Sequence, residues 1–140
     1  GYEADRQVIH LRDLATGQDL SDEILATSGE VVWTADSAGF YYVAVDENHR
    51  PSRVLRHRLG EPQDRDELIY EETDPGFFID LDLTSSNAYA MITTSDHETS
   101  EVWLVDRADP LARAFCVAPR ERNVLYHVEH HGLDLIILTN

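Results

Sequence analysis

The sequence predicts an all-β fold of repeated short antiparallel strands, and three observations support it. Similar strand-like segments recur at spacings of 46 and 48 residues, around Val8, Val54 and Val102. A second apolar segment recurs at spacings of 46 and 47 residues, around Trp33, Ile79 and Tyr126. Clusters of turn-forming residues interrupt the apolar runs about every 8 to 12 residues. Repeats of roughly 40 to 50 residues with four strands each are typical of a β-propeller.

The first four strands are predicted from the turns that separate them. Residues 8–14 and 24–27 flank Ala15-Thr16-Gly17-Gln18, and residues 30–34 and 40–45 flank Asp36-Ser37-Ala38-Gly39. Glycine and small polar residues of this kind favour tight turns. Because short turns join antiparallel neighbours, each pair is predicted to form a hairpin.

The remaining strands follow the same rule. Their order is 53–59, an acidic loop at 61–66, 68–71, 77–81, a turn at 84–87, 89–94, 101–106, a turn at Asp109-Pro110, 114–117, 125–129, a turn at His130-His131-Gly132, and 133–138. β-branched and aromatic residues dominate these runs, which favours strands over helices. The chain is therefore predicted to contain twelve strands.

Twelve strands amount to about three blades of an open propeller fragment. With the strands of a blade named a to d from the axis outward, residues 8–27 supply strands c and d of one blade. Residues 30–72 and 77–118 supply two complete blades, and residues 124–138 supply strands a and b of another. The near-continuous apolar a-strands are expected to be the most buried. Three blades cannot close the ring of a larger propeller, so the simplest inference is part of a longer protein.

Composition excludes several classes of function. The net charge of −16 argues against nucleic-acid binding and is compatible with cationic peptide partners. No apolar run approaches the roughly 18 residues of a membrane span. The single cysteine, Cys116, excludes a disulfide within the chain and favours a cytoplasmic protein, with a buried and inert thiol. No cofactor motif is present.

Two segments resemble the propeller of the prolyl oligopeptidase family of serine peptidases, and within it the oligopeptidase B (protease II) branch. They are Val31-Val32-Trp33-Thr34-Ala35-Asp36-Ser37-Ala38-Gly39-Phe40-Tyr41-Tyr42 and Arg53-Val54-Leu55-Arg56-His57-Arg58-Leu59-Gly60. Further matches follow in the family's order, at Leu68-Ile69-Tyr70-Glu71-Glu72, at Thr99-Ser100-Glu101-Val102, and at Pro119-Arg120 with Tyr126, Val128 and His130. The chain departs from the family at 74–76 and 109–113, which leaves those loop lengths open.

The resemblance implies a parent protein of two domains. A seven-bladed propeller would cap an α/β-hydrolase domain carrying a Ser-Asp-His triad, and would gate the entry of short peptides that are cleaved after Arg or Lys. No triad position of the family falls within this chain. The remaining blades and the hydrolase domain are the implied partners, with short basic peptides as the parent's substrates.

The residues themselves offer few catalytic candidates. Ala35-Asp36-Ser37-Ala38-Gly39 is the nearest match to a nucleophile elbow, but it lacks the first glycine and leads into a strand, which favours a simple turn. His127, His130 and His131 form the densest histidine group, and a polar hairpin turn is favoured over a metal site. His57 is interpreted as structural.

Charged residues give the remaining candidates. The acids of the 46–47 loop and the 71–74 connection are predicted to emerge on one face, where they could attract a basic peptide: Asp46, Glu47, Glu71, Glu72 and Asp74. The loop at 61–67 is equally acidic and should emerge on the opposite face, so a solvated surface is the alternative. Arg120 and Arg122 are candidates for contacts with the hydrolase domain or with acids across blades.

Two further hypotheses remain open at this level. The chain could be a self-associating binding module, because open blade edges favour pairing and two copies would supply six blades. It could also be a metal- or carboxylate-dependent enzyme, which no residue pattern selects.

Overall fold

The structure, a computed structural model, describes residues 7–140 as eleven strands and one turn of 3-10 helix at Gln63–Arg65. The strands are β1 (Gln7–Arg12), β2 (Asp19–Trp33), β3 (Gly39–Val45), β4 (Pro51–Arg58), β5 (Glu67–Glu71), β6 (Phe78–Leu83), β7 (Tyr89–Ser95), β8 (Ser100–Asp106), β9 (Phe115–Ala118), β10 (Tyr126–His131) and β11 (Asp134–Thr139). The predicted all-β class is confirmed. Within residues 7–140 there is no helix of the length and apolarity needed to cross a bilayer.

The strands form three antiparallel sheets. The first has the order β1-β2-β3-β4-β5, the second β6-β7-β8-β9, and the third contains β10 and β11. Every neighbouring pair is consecutive in the chain, so short connections suffice. The division of the chain into blades stays a prediction.

The prediction of separate strands at 24–27 and 30–34 was wrong, because both belong to the single strand β2. At Thr27 the pairing of β2 passes from one neighbour to the other, since Thr27 pairs with Gln7 of β1 and with Ala44 of β3. The register shifts between Thr27 and Val31, and positive φ angles at Ala26 (57°) and Gly29 (89°) accompany the shift. A bulge thus replaces the predicted break, which gives eleven strands and a five-stranded sheet.

Three apolar clusters hold the sheets together. The central cluster joins the first and second sheets and contains Val32, Tyr41, Val43, Val54, Ile79, Leu81, Ala90, Ile92 and Val105. A second lies around Phe40 and Tyr42 on the other face of the first sheet. A third packs Val102 and Leu104 of β8 against Tyr126 and Val128 of β10. The sheets are therefore stacked face to face in sequence order.

The expectation that the a-strands are the most buried was wrong. All seven residues of β3 are buried, whereas Trp33 at the end of β2 is 40% exposed and Phe78 in β6 is 53% exposed. The physical reason is position, because β3 lies inside its sheet between two apolar clusters while β6 lies at a sheet edge.

A substitution of Gly39 tests the close pairing of β3 with β4. A Cβ atom there would overlap the main-chain carbonyl oxygen of His57, which cannot move without breaking the ladder. We expect Gly39→Ala to lower the free energy of unfolding by about 1–3 kcal/mol. Urea denaturation of the purified protein measures it. Gly76→Ala is the control, because the nearest atom to its added Cβ is the Asp74 side-chain oxygen at 3.3 Å. An equal effect of both substitutions would contradict the steric explanation.

Candidate functional site

The turns between antiparallel strands fall at two opposite edges of the sheets. Edge one is defined by the connections 46–50, 72–77, 96–99 and 119–125, and edge two by 34–38, 59–66, 84–88 and 107–114. At edge one, Nη2 of Arg50 donates to the main-chain oxygens of Asp74 (3.2 Å) and Phe77 (3.0 Å). The 46–50 and 72–77 connections are therefore adjacent at edge one.

Asp46 and Asp74 both organise their own turns. Oδ1 of Asp46 accepts from the main-chain N–H groups of Asn48 (2.8 Å) and Arg50 (3.0 Å). Its Oδ2 lies 3.6 Å from Nη1 of Arg50. Oδ1 of Asp74 accepts from the main-chain N–H of Gly76 at 2.8 Å. Glu47 and Glu71 are exposed, as is Asp74, so three of the five predicted peptide-path acids face solvent at edge one.

Glu72 is different, because it is buried in a cluster around Arg120. Nη2 of Arg120 donates to Oε1 of Glu72 at 2.5 Å and to Oε1 of Glu101 at 3.2 Å. The guanidinium carbon lies 4.1 Å from the ring centroid of Phe77. Tyr70 donates its hydroxyl to Oε1 of Glu72 at 3.2 Å. We call these five residues the Arg120 cluster.

Main-chain and hydroxyl donors complete the cluster. Oγ1 of Thr94 donates to Oε1 of Glu72 at 2.6 Å, and the main-chain N–H of Asp74 donates to Oε2 at 3.0 Å. The main-chain N–H of Arg120 donates to Oε2 of Glu101 at 2.8 Å. Glu72 follows the last strand of the first sheet, whereas Glu101 and Thr94 belong to the second sheet. The hydrogen bonds and ion pairs of the cluster therefore connect the two sheets at edge one.

The electrostatics of the cluster follow from this geometry. Burial alone would raise the pKa of Glu72, but hydrogen bonds from Arg120, Thr94 and the main chain outweigh it and lower the pKa. Burial is likewise outweighed at Glu101, whose pKa is lowered by hydrogen bonds from Trp103 and Arg120. Burial and then the charge of Glu72 raise the pKa of Tyr70. Both carboxylates are thus ionised around a permanent guanidinium cation.

The structure separates the two arginine candidates. Arg120 pairs with acids across two sheets, which is one of the two roles predicted for it. Arg122 lies exposed in the 119–125 connection and belongs to no ion pair among residues 7–140. Sequence reasoning included Glu101 in a segment that resembles the family but gave it no role, although it alternates with Trp103 on one face of a strand.

A second buried network surrounds His57. Nε2 lies 2.7 Å from Oδ2 of Asp22, and Nδ1 lies 2.7 Å from Oδ1 of Asp66. Both ring nitrogens are therefore within hydrogen-bond distance of a carboxylate oxygen, so the imidazole bridges Asp22 and Asp66. The main-chain N–H of Gly60 also donates to Asp22, at 2.8 Å, and the hydroxyl of Tyr42 donates to Asp66 at 2.6 Å. His57 is fully buried, which agrees with a structural role.

The remaining catalytic candidates lie apart from one another. Ser37 occupies the tight turn between β2 and β3 with φ 60°, and its main-chain N–H donates to the oxygen of Thr34 at 3.0 Å. The turn predicted at His130-His131-Gly132 is present at its glycine, but the two histidines belong to β10, which continues through His131 before the chain reverses at Gly132, where φ is positive. Nδ1 of His130 lies 2.7 Å from Oγ of Ser86.

Within residues 7–140, the side chains form neither a metal-binding group nor an activated thiol. No group of three or more His, Cys, Asp or Glu side chains between residues 7 and 140 is arranged to hold a metal ion. Burial raises the pKa of Cys116, so its thiol stays protonated near neutral pH.

Comparison with known proteins relates the whole chain to one domain. A model of the N-terminal β-propeller domain of prolyl oligopeptidase matches residues 3–140. Protease 2 of Moraxella lacunata is 38% identical over 138 residues, which cover 97% of this chain and 20% of that protein. Dipeptidyl aminopeptidase BI of Pseudoxanthomonas mexicana is 34% identical over 134 residues, covering 94% of this chain and 18% of that protein.

Solved structures give the same result. Oligopeptidase B from Leishmania major superposes with a TM-score of 0.92 at 33% identity, covering 98% of this chain and 20% of that one. Oligopeptidase B from Trypanosoma brucei, in a closed form with covalently bound antipain, superposes with a TM-score of 0.81 at 35% identity. That match covers 86% of this chain and 18% of that one. The predicted propeller is confirmed, and the chain spans about a fifth of the length of these relatives.

Proposed function

Because this chain belongs to the N-terminal β-propeller domain family of prolyl oligopeptidases, we propose that it gates peptide access in a serine peptidase of oligopeptidase B type. The match to oligopeptidase B along 98% of the chain carries the proposal. The catalytic Ser-Asp-His triad would lie in a separate α/β-hydrolase domain. Within residues 7–140, Ser37 belongs to a tight turn and His57 is held between two carboxylates, which fits a role without catalysis.

Edge one is the surface we assign to the substrate. Glu47, Glu71 and Asp74 are exposed there, and Asp46 is half-buried beside them. A set of carboxylates on one edge attracts basic peptides and raises their local concentration. Glu72 contributes differently, since its charge is matched by Arg120 and its role is to fix the sheets that carry the other acids.

The partners follow from the same assignment. The hydrolase domain would contact edge one, with Arg122 available for that interface because it is exposed in the 119–125 connection. Further blades of the parent chain would cover the outer sheet surfaces. The single cysteine supports a reducing, cytoplasmic location.

Removing two exposed acids from edge one tests the gating role in the complete protein. We expect the double variant Glu47→Gln/Glu71→Gln to lower kcat/KM for a di-arginine fluorogenic peptide about threefold to tenfold at low salt, with kcat nearly unchanged. The physical reason is weaker attraction of the cationic substrate, and raising the salt concentration should shrink the difference. Steady-state kinetics at two ionic strengths measure both quantities.

The matched control removes two exposed acids from edge two, in Glu61→Gln/Asp64→Asn. An equal loss in this control would refute a substrate path at edge one. Ser37→Ala should retain full activity, and the 140-residue chain alone should not hydrolyse the peptide. Hydrolysis by the chain alone that disappears with Ser37→Ala would refute the whole proposal.

Self-association is the second candidate, and β11 favours it. This strand pairs with β10 on one side, and its apolar residues Leu135, Ile136, Ile137 and Leu138 are 38–55% exposed. An apolar strand with an open edge is a template for pairing with another chain. Analytical ultracentrifugation distinguishes the candidates, since a dimer that persists on dilution supports self-association and a monomer supports the gating domain.

A further inference from the structure

Edge two contains a cleft of about 620 Å³ between the first and second sheets. Three segments form its walls: the turn between β2 and β3, the end of β4 with the following loop, and the 107–111 segment after β8. A volume in this range is typical of sites that bind small molecules or peptide side chains. The cleft lies at the opposite edge from the acids assigned to the substrate.

The cleft is locally cationic in a chain of net charge −16. Four of the eleven arginines line it, namely Arg56, Arg58, Arg65 and Arg107, against three acids, Asp36, Glu61 and Glu67. The chain contains no lysine, so every cationic head group here is a planar guanidinium. Guanidinium groups bind carboxylates through paired hydrogen bonds.

Most of the arginine side chains that line the cleft form no ion pair within the protein. Arg56 donates to Oε2 of Glu67 at 2.9 Å. Arg107 donates to two main-chain oxygens, those of Trp33 (2.7 Å) and Asn87, which carry no formal charge. Arg58 and Arg65 are exposed and form neither a hydrogen bond nor an ion pair through their side chains with any residue from 7 to 140. Three guanidinium groups therefore lie outside ion pairs, against two remaining lining acids, Asp36 and Glu61, of which Asp36 interacts with the charge of Arg58.

The wall that carries Arg58 and Arg65 is held in place. Its ends are anchored by the buried His57 network, because Asp22 accepts from the main-chain N–H of Gly60 and Asp66 is bonded to the His57 ring. On the facing wall, Pro110 and Leu111 supply an apolar strip, and Leu111 is 76% exposed. Guanidiniums carried on an anchored stretch of main chain, opposite an exposed aliphatic surface, favour a ligand with both a carboxylate and an apolar side chain.

We propose that this cleft binds an acidic peptide segment, with its carboxylates on Arg58, Arg65 and Arg107 and an aliphatic side chain against Leu111. A peptide fits better than an isolated anion because the cationic groups are spread along the walls and alternate with apolar surface. The site would be independent of substrate entry, since it selects the opposite charge and lies at the opposite edge.

Fluorescence anisotropy on the complete protein tests the proposal. The probe is a labelled peptide, Glu-Leu-Glu-Asp-Leu-Glu, which contains no Arg or Lys and so is not a substrate of the proposed peptidase. The neutral analogue Gln-Leu-Gln-Asn-Leu-Gln is the matched ligand control. We expect saturable binding of the acidic probe, weakened by salt, and affinity lower by about tenfold or more for the neutral analogue.

Charge reversal of the exposed wall locates the site. Arg58→Glu/Arg65→Glu should weaken probe binding by about tenfold or more, while Arg12→Glu, an exposed arginine that does not line the cleft, should change it less than twofold. Both wall residues are exposed, so folding is expected to persist, and circular dichroism checks it. Equal binding of the two peptides, or equal effects of the two variants, would overturn the proposal. Inorganic phosphate that saturates the cleft while the probe does not bind would also overturn it, in favour of a small-oxyanion site.

Discussion

Replacing His57 by phenylalanine is expected to lower the local free energy of opening of the first sheet by about 3–5 kcal/mol. Phenylalanine has no ring nitrogen, so the substitution removes both hydrogen bonds to the carboxylates in a fully buried site. Asp22 and Asp66 have side chains that are 4% and 1% exposed, and they would be left without the ring that bridges them. Removing one partner of a buried ion pair is costly for this reason. Hydrogen exchange of peptides covering β4 and the 59–66 loop measures the loss.

Glutamine at the same position provides a graded comparison. Its side-chain amide donates through one end only, so it satisfies one carboxylate and presents an oxygen to the other. The loss for His57→Gln should therefore be smaller than for His57→Phe. His10→Gln is the control, because His10 is exposed and lies 3.8 Å from the exposed Glu23; it should change stability by less than about 0.5 kcal/mol. A loss below about 1 kcal/mol in His57→Phe would contradict a stabilising bridge from His57 to the two carboxylates.

The same network should make the first sheet sensitive to acid. Burial would raise the pKa of Asp22, but hydrogen bonds from His57 and the main chain of Gly60 lower it. A carboxyl group with a lowered pKa in the folded state contributes stability above about pH 3.9, and the contribution is lost as the pH falls through the folded value. The protection factors of amides in the 59–66 loop, measured relative to the intrinsic exchange rate at each pH, should therefore fall below about pH 4.

Local patterns predicted most of the strands for a simple physical reason. Turn-forming residues and period-two burial act over a few neighbours, so segments such as 40–45 and 89–94 were located within one residue of β3 and β7. The Thr34–Gly39 turn was likewise visible, since Asp36 and Ser37 are typical turn residues. The break between residues 27 and 30 was misread because a glycine can end a strand or form a bulge within it.

The contacts within the two buried polar clusters could not be predicted from sequence patterns. His57 meets Asp22 across 35 residues, and Arg120 meets Glu72 across 48. Nothing in the spacing of such residues encodes a contact, because the sheets bring them together only after the chain has turned back several times. In a chain with many acidic residues, a charged residue is also expected by default to lie on the solvated surface. The burial of Glu72 therefore became visible only with the packing of the second sheet against the first.

Glutamine in place of Glu72 is expected to destabilise the junction of the first and second sheets by about 3 kcal/mol. The value lies at the lower end of the range for a buried pair, because the side chain of Arg120 is 27% exposed while that of Glu72 is 4% exposed. The amide would retain the hydrogen bond from Thr94 through its oxygen, but the charge that balances Arg120 would be gone. Hydrogen exchange of peptides from β5, β7 and the 119–125 connection reports the change.

A double-mutant cycle separates the ion pair from the other contacts of these residues. Glu72→Gln, Arg120→Met and the double variant give the coupling energy, which we expect to be about 1–3 kcal/mol because the two side chains share one hydrogen bond. Arg120→Met should cost more than Glu72→Gln, since it also leaves Glu101 without its cation and removes the contact over the Phe77 ring. Arg122→Met, two residues away and exposed, should be nearly neutral.

Lowering the pH provides a second comparison between the native protein and Glu72→Gln. The pKa of Glu72 is lowered by Arg120 and Thr94 despite burial, so its contribution is present above about pH 4.3 and is lost as the pH falls through the folded value. The stability difference between the native protein and Glu72→Gln should therefore shrink on acidification. If the difference instead stayed constant between pH 7 and pH 3, the carboxylate charge would not be what joins the sheets. The exposed acids at edge one would then have to be held by apolar packing around Phe77 alone.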